Sequence, residues 1–115
     1  MEKIVTKNAP EAVGPYSQAI KSGKFVFVSG QIALKGDIAE QTEFAINSIV
    51  EILKASGSDI TKVVKTNCFL SDINNFAVFN GIYAKYFTSL PARSLIEAKA
   101  LPKGSLVEIE VIAEI

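Results

Sequence analysis

The chain has 115 residues, with 12 Lys plus Arg balancing 12 Asp plus Glu, one Cys and no His. That length suits one domain over residues 1–115, and 49% hydrophobic content with only 4 Pro and 7 Gly supports a packed core. Neutral charge without a basic run disfavours nucleic-acid binding. The absence of His excludes Ser-His-Asp and Cys-His catalysis, and the lone Cys68 supplies neither an internal disulfide nor a multi-thiolate zinc site, so no metal is expected.

Met1 to Lys7 lacks a hydrophobic signal core, and the longest apolar runs, Phe25 to Val28 and Phe76 to Phe79, cover four residues each. The expectation is a cytoplasmic protein with no membrane association. After the apolar pair Ile4-Val5, the residues Asn8, Pro10, Gly14 and Pro15 predict an ordered loop. Gln18 to Lys21 and Phe25 to Gln31 flank Ser22-Gly23-Lys24 and predict a hairpin.

From Ile38 to Ser56 the spacing is helical, with Ile38, Thr42, Ala45, Ile49, Ile52 and Leu53 on one face. Asp37 with Glu40 has the spacing of a capping box, and Gly57 suits the exit. Val63 to Leu70 is β-branched and aromatic, which predicts a strand. Asp72 is a candidate cap for a second helix, whose stripe Phe76, Phe79, Tyr83 and Phe87 reads as core packing; Pro91 ends it. Two strands follow, over Ala92 to Leu101 and Leu106 to Ile115. On the first, Arg93, Leu95, Glu97 and Lys99 share a face. On the second, Glu108, Glu110 and Glu114 oppose an apolar face. The order predicts an α+β fold: a sheet with two helices packed on one face. Phe25-Val26-Phe27-Val28 is apolar on both sides, so what two helices leave bare is expected to be covered by partner subunits, the alternative being local loops.

Arg93 admits two readings, a same-face ion pair with Glu97 or a planar fork for a carboxylate ligand. Glu108 is either a solvated strand carboxylate or the most plausible proton handler in a chain without His. Tyr16 is a pocket wall or plain packing, and Cys68 reads as a small core residue.

Taken together, several stretches resemble the reactive intermediate deaminase (Rid, RidA/YjgF-type) family. They are Asn8-Ala9-Pro10, Gly14 to Ala19, Phe27 to Ile32, Val64-Lys65-Thr66, Phe76 to Asn80 with Tyr83, and Tyr86-Phe87. The most specific are Pro91-Ala92-Arg93-Ser94, then Leu101 to Gly104 and Val107 to Glu110. The resemblance implies a fold like that of bacterial chorismate mutase, in a homotrimer with clefts between subunits. It implies a hydrolase that converts 2-enamino and 2-imino acids to 2-keto acids and ammonia, with no cofactor. The alternative is a non-catalytic module sensing small carboxylates such as 2-keto acids.

By the same resemblance, Arg93 binds the substrate carboxylate and Glu108 positions or activates water. Tyr16, Ser29, Gly30 and Asn80 line the cleft, Gly30 offering backbone near the ligand. Leu95 stands where many members carry Cys, and Ala33 to Asp37 is shorter than the family's usual loop. With Arg93 and Glu108 on different strands, a substrate is expected to be anchored at one end and attacked at the other.

Overall fold

A computed structural model describes residues 1–115. The chain runs β1 (Glu2–Ile4), β2 (Ala19–Ser22), β3 (Phe25–Gln31), α1 (Ile38–Ala55), β4 (Val63–Leu70), α2 (Phe76–Tyr86), β5 (Ala92–Glu97) and β6 (Val107–Glu114). The six strands form one mixed sheet in the order β1-β2-β3-β6-β4-β5. Only β4 and β5 are parallel, joined by the crossover through α2. Both helices lie on one face, as the sequence predicts.

Local chemistry explains most boundaries. The β2–β3 register pairs Ser22 with Phe25, leaving Gly23-Lys24 as a two-residue loop with Gly23 at φ 60°. At the start of α1, the Glu40 amide donates to Asp37 (2.9 Å) and the Asp37 amide donates to Glu40 (3.1 Å), which completes the capping box. At its end, Gly57 adopts φ 80°, and the amides of Gly57 and Ser58 return to the carbonyls of Lys54 and Leu53. Gln18 is buried and ties down the loop after β1, accepting from the Thr6 amide and donating to the Thr6 and Pro10 carbonyls.

The core lies between helices and sheet. Ile46, Ile49, Ile52 and Leu53 of α1 and Phe79 of α2 meet Val26, Leu70, Val107 and Ile109, all fully buried. No helix is long and apolar enough to cross a membrane.

Two expectations change. The predicted strand over Ala92 to Leu101 ends at Glu97, because its only ladder partner, β4, stops at Leu70, and the Ala98 amide takes the Leu70 carbonyl as a last bond. Asp72 caps a 3₁₀ turn over Ile73–Asn75, and α2 begins only at Phe76. On β3 the helices cover one face only, as the sequence predicts: Val26 and Val28 are buried under them, whereas Phe25 and Phe27 are 41% and 44% exposed on the opposite face. One chain therefore covers only half of that strand.

Candidate active site: two half-sites on opposite faces

Strand register fixes which face each candidate occupies. Thr66 of β4 pairs with both Arg93 of β5 and Val111 of β6, so Arg93 lies on the helical face. Phe69, three residues along β4, pairs with Glu108, so Glu108 lies on the open face. The expected bridging of one substrate between Arg93 and Glu108 is thus corrected for a single chain: the sheet itself separates them.

Arg93 is half-buried and held from α2. Its Nη1 donates to Asn80 Oδ1 at 2.8 Å, and its guanidinium carbon lies 4.7 Å from the Tyr83 ring centroid and 5.7 Å from that of Phe76. Phe76, Asn80 and Tyr83 follow helical spacing, which places all three on the side of α2 that meets β5. The ion-pair reading with Glu97 does not hold. The one salt bridge of the structure joins Lys54 and Glu51 on α1, and Glu97 instead accepts from the Ile73 amide at 2.8 Å. Arg93 is left with a fixed plane and no carboxylate of its own chain.

Leu95 follows on the same face, beside Cys68 on β4, and packs against the core. The Cys68 thiol is buried, and desolvation pushes its pKa up to about 11, so it stays protonated. A thiol so placed behaves as a small apolar group.

The second half-site gathers at the far end of β3. The β3–β6 ladder shifts register between Val28 and Gln31, so Ser29 and Gly30 sit in a bulge. The Ser29 amide donates to the Gln18 carbonyl (2.9 Å), its hydroxyl donates to the Ser17 carbonyl, and Gln31 Nε2 donates to the Ser29 carbonyl (3.1 Å). Gly30 lies against Glu108: a Cβ there would overlap the carboxylate oxygen and sit 2.8 Å from Cδ. Glycine is required here for close approach, since Gly30 is not among the positive-φ residues. Tyr16, after the Gly14 turn, is 52% exposed at the surface.

Glu108 is half-buried, and burial raises its carboxyl pKa above the ordinary value, with the charge of Glu110 adding to the effect. Gln41, buried in α1, steadies the approach to Glu108 by donating to the Gly36 carbonyl and accepting from the Leu106 amide, both at 2.9 Å. The candidates therefore form two groups: Arg93, Asn80 and Leu95 on one face, and Ser29, Gly30 and Glu108, the bulge and its neighbour on β6, at the other. Residue-by-residue reading missed Tyr83 as a contact of Arg93. The signal was available, since Asn80 and Tyr83 share a helical face.

A family model described as Endoribonuclease L-PSP matches residues 6–115. A RutC family protein of Pyrococcus horikoshii is 47% identical, over 97% of this chain and 96% of that one. A 2-iminobutanoate/2-iminopropanoate deaminase of Homo sapiens is 46% identical, over 96% of this chain and 87% of that one. Among solved structures, YyfA of the Rid protein family from Yersinia pestis superposes with a TM-score of 0.95 at 46% identity, covering 99% of this chain and 98% of that one. With the match extending over nearly all of its length, the chain belongs to the Endoribonuclease L-PSP family, and within it to the Rid proteins.

Proposed function

We propose that the protein hydrolyses 2-imino and 2-enamino acids to 2-keto acids and ammonia, in sites completed between copies of a homotrimer. The observation that carries this reading is Arg93, a guanidinium held in a fixed plane by Asn80 and two aromatic rings with no anion of its own chain beside it. Such a group is a receptor for an external planar carboxylate. The deaminase name borne by the human relative fits a carboxylate-bearing substrate.

Glu108 supplies the proton handling. As water adds to the imine carbon, the carboxylate takes a proton from the water and the new carbon–oxygen bond forms. Return of that proton to nitrogen gives the carbinolamine. The carboxylate then carries the proton of the new hydroxyl to the amine, and the carbon–nitrogen bond breaks as the carbonyl forms, releasing ammonia and the keto acid. A carboxyl group with a raised pKa suits a base that must also give the proton back. The imine is already electrophilic, so binding, orientation and proton transfer suffice. Tyr16, Ser29 and Gly30 from one copy would line the cleft opposite Asn80 and Leu95 from the next. The bare phenylalanines of β3 supply apolar surface for the contact between copies.

The test is turnover of 2-iminobutanoate generated in place, read as keto-acid and ammonia release, with mixed oligomers as the second arm. Arg93→Ala and Glu108→Ala subunits should each be strongly impaired alone. Mixed and reassembled, they should regain activity, because one cleft then joins an intact Arg93 to an intact Glu108. No acceleration by the wild type overturns the deaminase reading. Loss of turnover with retained 2-keto acid binding in Glu108→Ala separates an enzyme from a sensor. Cleavage of RNA is not part of this reading, because the chain has no net charge and no His.

A further inference from the structure

Phe76 and Tyr83 both face the Arg93 guanidinium, yet they are held very differently. Phe76 is 38% exposed at the start of α2 and stands 5.7 Å away. Tyr83 is buried, stands at 4.7 Å, and is fixed beyond its ring. Its hydroxyl is 2.8 Å from Thr66 Oγ1, and its ring stacks on Phe87 with centroids 4.3 Å apart. Thr66 is fully buried on β4 as the direct ladder partner of Arg93. A closed loop results: strand pairing holds Thr66 beside Arg93, Thr66 holds the Tyr83 hydroxyl, and the Tyr83 ring meets the guanidinium.

We propose that Tyr83, anchored by Thr66, is a positioning residue that sets the plane of the Arg93 guanidinium and thereby its bidentate grip on a carboxylate. The inference rests on the reading of Arg93 as the carboxylate receptor. Asn80 fixes one edge of the fork through a single hydrogen bond, and a single bond leaves rotation about its own axis free. A buried ring with its centroid 4.7 Å from the guanidinium carbon restricts that freedom. The two donors aimed at the ligand then lie in one plane, as two parallel bonds to a carboxylate require.

The experiment measures binding of 2-ketobutyrate by calorimetry and steady-state hydrolysis of the matching imine. Variants are Tyr83→Leu, Tyr83→Phe and Thr66→Val, in wild-type and Arg93→Ala backgrounds. Tyr83→Leu should weaken binding on the order of tenfold and raise KM more than it lowers kcat. Tyr83→Phe, which keeps the ring, should restore most of that loss. In the Arg93→Ala background, Tyr83→Leu should change kcat/KM no further. An equal loss in both backgrounds, or a fall confined to kcat, overturns the proposal.

Should Tyr83→Leu fail to fold, Tyr83→Phe and Thr66→Val carry the test alone. Singly and together they should weaken 2-ketobutyrate binding by the same two- to threefold amount, on the order of one neutral hydrogen bond. Additive or absent effects overturn it. If Arg93→Ala binds 2-ketobutyrate as the wild type does, the receptor reading itself falls. If Arg93→Ala loses binding while every Tyr83 variant keeps it, only the role of Tyr83 falls.

Discussion

On the helical face Arg93 is gripped by three side chains of its own chain, whereas on the open face Glu108 is half-buried with no cation beside it. The first environment fixes a direction; the second tunes a proton affinity. A group that orients a substrate gains from rigidity, because misplacement by about 1 Å can cost on the order of 10²-fold in rate. A group that exchanges protons with water gains from the opposite, a carboxylate not committed to a partner and with its pKa raised toward its working range. Arg93 and Glu108 thus each stand without an ionic partner, and the sheet keeps the two apart. A rotational assembly of copies is the arrangement that would let the faces meet.

The largest expected effects come from erasing one side of that contrast at a time. Glu108→Gln keeps the shape beside Gly30 and removes the carboxylate proposed as the base. It should lower kcat roughly 10²–10⁴-fold, with KM changing far less. Arg93→Ala should do the reverse, raising KM for carboxylate substrates and lowering kcat/KM on the order of 10²-fold, about two charge-assisted hydrogen bonds. Arg93→Lys should not rescue it, because an ammonium cannot form the planar fork. If both variants changed kcat and KM in parallel, the division of labour between the faces would be wrong.

A subtler break acts on Glu108 without touching it. A methyl group at Gly30 collides with the Glu108 carboxylate, the free end of a flexible side chain that can swing aside. Gly30→Ala should therefore cost activity on the order of tenfold while the melting temperature stays near that of the wild type. A large loss of melting temperature would show that Gly30 serves the β3 bulge rather than the carboxylate.

The sequence carried the fold well where the physics is local. The Asp37–Glu40 box, the Gly57 exit and the alternation of β6 all appear as their residue types demand. It carried less where partners far along the chain decide. The end of β5 depends on where β4 stops, and the early strand β1 exists because Ile4 finds Ala19 as a ladder partner. For the site, motif likeness picked out Arg93, Asn80, Gly30 and Glu108, and strand parity alone could not say that Arg93 and Glu108 fall on opposite faces. That requires the register of β4 against both neighbours, which no single-strand pattern contains.

The smallest expected effect tests whether Glu108 is held at a cost. Its pKa is raised in the folded protein, so the folded state binds more protons than the unfolded chain in the window between the ordinary carboxylate value and the raised one. The contribution of Glu108 to stability must then fall as pH rises through that window. Glu108→Gln abolishes the titration. At pH 7 its melting temperature should equal or exceed that of the wild type, and the difference should shrink on acidification below the ordinary carboxylate range. Thermal denaturation of both proteins across that pH range measures it. A Gln variant less stable at pH 7 but not in acid would mean that the ionised Glu108 is a favourable structural contact. It would then be a poor choice for the base, because a carboxylate stabilised by its surroundings is reluctant to take up a proton.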